Sequence, residues 1–120
     1  MPSTTTYRRG QVFVVSVLFS DHSGTKPRPA LLGSSEAFHR HSLDVIVCPI
    51  SSQPRYYARP GPGDQPIRNW KGLGLRHPST ERFSKMVAVD KRIIKRILGA
   101  LSRADFALVE MKLRQALDLA

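Results

Sequence analysis

The sequence contains little cysteine, since Cys48 is the only one among 120 residues. A single thiol forms no intramolecular disulfide, which excludes a disulfide-stapled secreted module, and its place in an apolar run predicts a buried side chain. The longest apolar runs are far shorter than the ~20 residues needed to span a bilayer. Residues 1–6 are polar and lack the apolar core of an export signal. We therefore expect a cytoplasmic protein with no membrane partner.

Nucleotide-binding and metal-binding motifs are also missing. The chain has no P-loop, no GxGxxG and no HExxH, and it has no Cys/His cluster with zinc spacing. His39 and His41 form a His-x-His pair, but two ligands are too few for a metal site and Arg40 between them opposes a cation. The alternatives for this pair are a surface turn or acid–base work on RNA. We expect no metal and no cofactor.

Acidic residues are scarce as well, with 9 Asp and Glu against 19 Lys and Arg and a net charge of +10. Most of the excess positive charge lies between Arg55 and Arg96, a region that contains eleven basic and three acidic residues. Such a region attracts polyanions such as nucleic acids. A solvated, solubilising surface is the simpler alternative. An anionic membrane surface is disfavoured, because no basic amphipathic helix coincides with the excess.

The hydrophobic pattern predicts a single mainly β (α+β) domain over residues 1–120, with residues 1–6 as a loose arm. Apolar, β-branched runs predict strands at residues 11–19, 28–33, 43–51 and 82–89. Residues 34–42 suggest a short helical turn, and residues 53–65 read as a long surface loop. Residues 93–101 fit a helix or a strand, and Gly99 and the isoleucines favour the strand. Together these elements predict a small antiparallel barrel.

The C-terminal segment has the clearest pattern. Ser102 is a good N-cap and Asp105 follows three residues later, so we expect a helix over residues 103–118. Apolar residues recur on one helical face, which is expected to pack on the sheet; they are Phe106, Val109, Leu113, Ala116 and Leu117. Glu110 and Arg114 are spaced for an i, i+4 ion pair.

Two strand ends carry residues suited to phosphate chemistry. Arg28 lies between two prolines where residues 28–33 begin, and Ser51 and Ser52 lie where residues 43–51 end. RNA is cleaved without a metal when its 2′-hydroxyl attacks the phosphate, and a guanidinium and a hydroxyl then stabilise the phosphorane. The alternative is an arginine in a surface turn and a serine that merely ends a strand.

Several residues near these strand ends suit RNA binding, because aromatic rings among cations stack with unpaired bases and contact their phosphates. For Trp70, the alternative to RNA binding is packing in the hydrophobic core. The predicted RNA-binding residues are Lys26, Ser52, Gln53, Arg55, Tyr56, Arg59, Trp70 and Lys85.

Five segments in order resemble the MazF/PemK (Kid-like) family of type II toxins, which are mRNA interferases. Residues 9–13 (RGQVF) are similar to the family's R-G-D/E-V/I-W/Y strand, with Gln11 in place of the acid. Residues 24–30 (GTKPRPA) resemble G-x-x-R-P-A/V, and residues 47–53 (VCPISSQ) resemble V-x-P-I/V/C-T/S-S/T. Residues 86–91 (MVAVDK) and 98–102 (LGALS) resemble the later strand and the L-G-x-L-S/T ending. The likeness covers roughly residues 7–118.

The resemblance implies an SH3-like small barrel with a C-terminal amphipathic helix, the MazF/CcdB-type toxin fold, in a homodimer. It also implies sequence-specific, metal-independent cleavage of single-stranded mRNA to a 2′,3′-cyclic phosphate and a 5′-hydroxyl, which arrests translation and growth. The implied partner besides RNA is a cognate antitoxin whose acidic or amphipathic tail blocks the basic groove.

The resemblance further implies roles for single residues. Arg28 aligns with the catalytic arginine and Ser51 with the catalytic threonine of the family. Arg82 matches an arginine that acts as the acid in the Kid-like branch, and His22 resembles that branch's loop histidine. Ser84 stands where that branch has its carboxylate base, so the base stays open.

Two alternative functions remain at this stage. A non-catalytic gyrase poison of the CcdB type shares the expected barrel, and it does not need Arg28 beside a strand-end hydroxyl. A plain basic RNA-binding barrel is supported by the charge alone.

Overall fold

The computed structural model describes residues 7–16 and 26–119. Its strands are β1 (Gln11–Ser16), β2 (Pro27–Leu32), β3 (Asp44–Ser51), β4 (Asp64–Ile67), β5 (Ser79–Arg82), β6 (Val87–Asp90) and β7 (Ile94–Ala100). Its α-helices are α1 (Glu36–Arg40), α2 (Pro54–Ala58) and α3 (Arg103–Leu117). Short 3₁₀ turns cover Lys71–Leu73, Phe83–Lys85 and Lys91–Ile93.

The sheet is built around β3, which pairs with three neighbours. Asp44 to Val47 pair with β6, Val47 to Pro49 pair with β2, and Ile50 and Ser51 pair with β5, always antiparallel. The strand order is β4-β5-β3-β2-β1-β7, with β6 paired to β3 outside this path. Within the described residues the sheet is therefore not closed, but its small-barrel-like form with a C-terminal helix confirms the predicted α+β class.

Two apolar clusters stabilise the fold. Because side chains alternate along a strand, neighbouring residues of one strand contribute to different clusters. One cluster contains Val12, Leu31, Cys48, Ile50, Ile67, Leu73, Phe83, Leu101 and Val109. The other contains Phe13, Val15, Ala30, Leu32, Val45 and Val47. Cys48 is fully buried, as predicted, and burial raises the pKa of its thiol, which suppresses its reactivity.

α3 begins as predicted, because the Ser102 hydroxyl accepts a hydrogen bond from the Asp105 N–H at 3.1 Å. Its apolar stripe is buried only in part: Val109 is 4% exposed, whereas Leu117 is 49% exposed. Glu110 pairs with Arg9 at 3.1 Å, which links the helix to the segment before β1. Gly10 lies under the Phe106 ring with φ 93°, and a Cβ there would approach the ring to 2.8 Å. This contact explains why glycine follows Arg9.

Most predicted elements are confirmed, including the central strand β3, the helical turn α1 and a strand, β7, within residues 93–101. The strand predicted at residues 11–19 is confirmed over Gln11–Ser16, and residues 17–19 lie outside the described residues. Two predictions are wrong. Residues 53–65 are not one loop, because Pro54 occupies the first turn of α2, where its missing N–H costs nothing, and β4 begins at Asp64. Residues 82–89 are not one strand, because a 3₁₀ turn at Phe83–Lys85 separates β5 from β6.

No helix formed by residues 7–16 and 26–119 has both the length and the hydrophobicity of a membrane-spanning segment.

Candidate active site

A cleft of ≈380 Å³ opens at one end of the sheet, between β2, the end of β3, β7 and the segment before β5. Three arginines from different parts of the chain line it, namely Arg28, Arg76 and Arg96. His77, Ser52 and Ser79 supply further polar groups, and Val14, Ile50 and Leu98 form an apolar floor. Among the described lining residues there is no carboxylate, so the cleft suits an anion.

Arg28 is positioned by the start of β2. Pro27 and Pro29 flank it and restrict the backbone, and Pro29 pairs with Val14 of β1. On the other side of β2, Ala30 pairs with Pro49 of β3. The β2–β3 pairing ends at that pair; continued by two residues in the same register, it would set Arg28 level with Ser51. Directly opposed residues of an antiparallel pair share a face of the sheet, so this register favours Arg28 and Ser51 as neighbours.

The two strand-end serines differ in their surroundings. Ser51 is half-buried, pairs with Thr80, and accepts the Gln53 N–H at 3.2 Å through its hydroxyl oxygen. Since the oxygen is the acceptor, the O–H proton can still be donated to a phosphoryl oxygen. Ser52 is exposed and lines the cleft with Arg28, whereas Ser51 is not among the described lining residues.

Arg82 lies in a separate cluster. Its Nε donates to Asp64 Oδ1 at 2.9 Å, and its guanidinium carbon lies 3.7 Å from the centre of the Tyr56 ring. Arg55 also lies over this ring, at 4.7 Å, and donates to the Tyr56 hydroxyl at 2.7 Å. That hydrogen bond lowers the pKa of Tyr56. The cluster supplies a cationic aromatic surface beside α2, but its members are not among the described residues that line the cleft.

The remaining predicted residues are distributed over the surface. Lys26 is exposed before β2, Gln53 occupies the N-cap position of α2 without a capping hydrogen bond from its side chain, and Arg59 and Lys85 are exposed elsewhere. Trp70 is half-buried against the first apolar cluster, and the Lys71 ammonium lies 5.5 Å from its ring centre. His22 and the loop around it lie outside the described residues, so its predicted role stays a prediction.

Sequence reasoning did not single out Arg76, His77 or Arg96 as site residues. The two arginines were counted in the basic region, but no pattern distinguished them from the other cations there. His77 precedes a proline and stands apart from any motif. Only the meeting of β7 with the segment before β5 brings these side chains to Arg28.

Asp105 fixes the segment that leads into the cleft. Its two carboxylate oxygens accept the backbone N–H groups of Arg68 and Asn69, both at 2.9 Å, and the residue is 2% exposed. The chain continues from there through a 3₁₀ turn to Gly74, whose φ of 76° redirects it towards His77. Charge-assisted, buried hydrogen bonds of this kind are strong, so α3 holds the segment in place.

A buried carboxyl lies near this site. Glu81 is fully buried in β5, and neither of its carboxyl oxygens has a hydrogen-bond partner that meets ordinary geometry. Burial raises the pKa of Glu81 to about 8, with Cys48 as its neighbour in the core. Within residues 7–16 and 26–119, no three His, Cys, Asp or Glu side chains converge as ligands for a metal ion.

Comparisons with known proteins agree with this architecture. The sequence model of the family described as PemK-like, MazF-like toxin of type II toxin–antitoxin system matches residues 8–117. An endoribonuclease in complex with its cognate antitoxin from mycobacterial species is similar in structure, with TM-score 0.73, 21% identity and coverage of 95% of this chain and 97% of that chain. No curated protein matches the chain in sequence.

Two further solved structures are similar. The Mycobacterium tuberculosis toxin MazF-mt6 has TM-score 0.71 and 21% identity, over 92% of this chain and 98% of that chain. MazF from Deinococcus radiodurans has TM-score 0.71 and 20% identity, over 96% of this chain and 99% of that chain. At these identities the structural likeness establishes the fold.

Proposed function

The chain belongs to the PemK-like, MazF-like toxin family of type II toxin–antitoxin systems, and on this basis we propose that it is an endoribonuclease that cleaves single-stranded mRNA. The observation that carries the proposal is the cleft in which Arg28 meets Arg76, Arg96 and Ser52, with no carboxylate among the described lining residues. A similar fold occurs in an endoribonuclease bound to its antitoxin. Cutting of mRNA arrests translation and growth.

In the proposed reaction, the 2′-hydroxyl of the substrate attacks its own phosphate and the 5′-oxygen departs. The products are a 2′,3′-cyclic phosphate and a 5′-hydroxyl. Arg28 stabilises the negative charge that builds up on the phosphoryl oxygens. The Ser51 hydroxyl, which a continued β2–β3 register would set level with Arg28, donates a hydrogen bond to one of them. Arg76, Arg96 and Ser52 hold the flanking chain, because guanidinium groups bind phosphates along their path. These groups need no metal.

The cluster of Arg55, Tyr56 and Arg82 extends this surface. A guanidinium stacked on an aromatic ring supports stacking of an unpaired base and also neutralises its phosphate. Arg82 serves here as a cation held by Asp64, and its proposed role as an acid depends on release from that carboxylate. Lys26, Gln53, Arg59, Trp70 and Lys85 complete the proposed RNA-binding set.

The proposed partners are a second copy of the chain and a cognate antitoxin in the cytoplasm. A net charge of +10 favours an acidic or amphipathic antitoxin tail in the same basic cleft, where it would exclude RNA. Some related structures are complexes of MazF with MazE, and that architecture supports the pairing.

The decisive experiment incubates purified protein with a long single-stranded RNA in EDTA and maps the fragment ends. We expect discrete cuts with 2′,3′-cyclic phosphate ends. Arg28→Ala is expected to lower the cleavage rate by at least about 10³-fold, because the charge on the phosphorane loses its principal cation. Arg103→Ala, an exposed arginine at the start of α3, is the matched control and should cut normally.

Two outcomes would contradict the proposal. Intact RNA after prolonged incubation with folded wild-type protein would rule out the nuclease, and inhibition of gyrase by the same protein would favour the poison instead. Undiminished cutting by Arg28→Ala would place the chemistry outside this cleft.

A further inference from the structure

The histidines in the described residues have three different environments. His39 is 4% exposed, and its Nε2 contacts the Tyr7 carbonyl. His41 is exposed at the end of α1 and is not among the described residues that line the cleft. His77 is exposed and lines the cleft together with Arg28 and Ser52. Of these three imidazoles, only that of His77 can meet a molecule bound beside Arg28.

The backbone of His77 is held firmly for a residue between a turn and a strand. Pro78 restricts the conformation of the residue before it. The Ser79 hydroxyl donates to the His77 carbonyl at 2.8 Å, and Ser79 is 3% exposed at the start of β5. Asp105 anchors the same segment further upstream. The imidazole is thus presented to the cleft from a fixed point, which proton transfer requires.

The groups that face His77 across the cleft are cations. Arg28 comes from β2, Arg96 from β7 and Arg76 from the same segment. Guanidinium groups keep their protons at all ordinary pH values and are poor bases. An imidazole is the side chain that most often serves as a general base in enzymes. Among the described residues that line the cleft, His77 is therefore the side chain suited to act as a base.

We propose that His77 removes the proton from the 2′-hydroxyl of RNA bound in this cleft. The inference rests on the proposed ribonuclease function and supplies the base that its reaction needs. The imidazole takes the 2′-hydroxyl proton as the O2′–P bond forms. The P–O5′ bond then breaks, and the departing 5′-oxygen takes a proton from water. Arg28 stabilises the phosphorane in between.

The test is the single-turnover cleavage rate of a defined single-stranded RNA in EDTA, measured between pH 5.5 and 8.5. For the wild-type protein we expect the rate to rise with pH and then level off as the base loses its proton. His77→Ala should lower the rate by about 10²- to 10⁴-fold and abolish the rise, while the affinity for RNA changes less than about threefold. Added imidazole should restore part of the activity.

Matched variants separate this proposal from its neighbours. His41→Ala changes another exposed histidine, one that is not among the described residues lining the cleft, and should keep both rate and pH profile. His77→Gln keeps the size and polarity of the side chain without a titrating base, and it should behave like His77→Ala. His22→Ala tests the histidine of the predicted loop and should keep the rise of the cleavage rate with pH.

The failures are distinguishable. If wild-type protein cuts RNA in an Arg28-dependent manner and His77→Ala keeps the wild-type rate and pH profile, the role of His77 is wrong while the nuclease stands. If His22→Ala instead loses the rise of the cleavage rate with pH, the base is His22 and not His77. If the wild-type protein does not cut at all, the proposed function fails and the role of His77 fails with it.

Discussion

Ionisable side chains are exposed to solvent in the cleft but buried in the core beneath β5, although residues 76–82 contribute to both regions. In the cleft, Arg76 and His77 are exposed and share the surface with Arg28 and Arg96. In the core, Glu81 is fully buried and its carboxyl oxygens have no hydrogen-bond partner of ordinary geometry. Charge in contact with water costs little, whereas a desolvated charge costs several kcal/mol. The chain can therefore carry a large basic excess on its surface, while its buried acid is kept neutral.

The largest expected effect comes from the buried side of this comparison. The pKa of Glu81 is about 8 in the folded state, against 4.5 ordinarily. Between these values the folded protein holds a proton that the unfolded chain has lost, so stability falls as pH rises from about 5 to 8. The slope is at most ~1.4 kcal/mol per pH unit. The free energy of unfolding in urea at pH 5, 6.5 and 8 measures it.

Glu81→Gln removes the titrating group and should flatten this pH dependence, and Glu81→Leu should also stabilise the protein at pH 8 by about 1–3 kcal/mol. Asp44→Asn, which changes an exposed carboxylate, is the control and should follow the wild type. If Glu81→Gln keeps the full loss of stability between pH 5 and 8, another group is responsible and the carboxyl is solvated.

The next effect concerns the two serines at the end of β3. Ser51→Ala should lower the cleavage rate by about 10²-fold, the usual loss for one transition-state hydrogen-bond donor, and Ser51→Thr should retain activity because it keeps the hydroxyl. Ser52→Ala should cost only a few-fold, mainly in RNA affinity. Single-turnover rates and filter binding separate the two effects. The reverse order would mean that Ser52, not Ser51, donates the hydrogen bond to the reacting phosphate.

The smallest effect concerns the exposed cations. Arg96→Ala should weaken binding of single-stranded RNA by about 3- to 10-fold and make the slope of log K against log salt shallower by about 0.7, because one phosphate contact is lost. The cleavage rate at saturating RNA should not change. Arg40→Ala removes an exposed arginine of α1 that pairs with Glu36 and should leave the slope as it is. An equal change in both variants would show that Arg96 acts only through net charge.

The contrast also explains which parts of the site could be predicted. Arg28, Ser51 and Ser52 are predicted from the sequence because each lies at the edge of an apolar, β-branched run, and the structure brings Arg28 and Ser52 to one cleft. Arg76, His77 and Arg96 have no such marker, since they reach Arg28 only through contacts between distant segments. Glu81 has no marker in the sequence beyond its charge, and its burial follows from the pairing of β5 with both β3 and β4.

Local sequence signals also explain the two wrong predictions of secondary structure. Proline and glycine in residues 53–65 suggested a loop, but a proline in the first turn is compatible with the short helix α2. The apolar residues at 82–89 suggested one strand, but a 3₁₀ turn at Phe83–Lys85 interrupts it where Phe83 packs in the first apolar cluster.

Local physics in the sequence determined the strands, the capped C-terminal helix, the buried thiol and the basic surface, because propensity, alternation and capping act over a few residues. The tertiary structure alone decided that β7 and the segment before β5 face β2, which residues line the cleft, and that Glu81 loses contact with water. Those outcomes depend on the pairing of residues far apart in the chain, and solvent exposure, not charge type, then sets what each ionisable group can do.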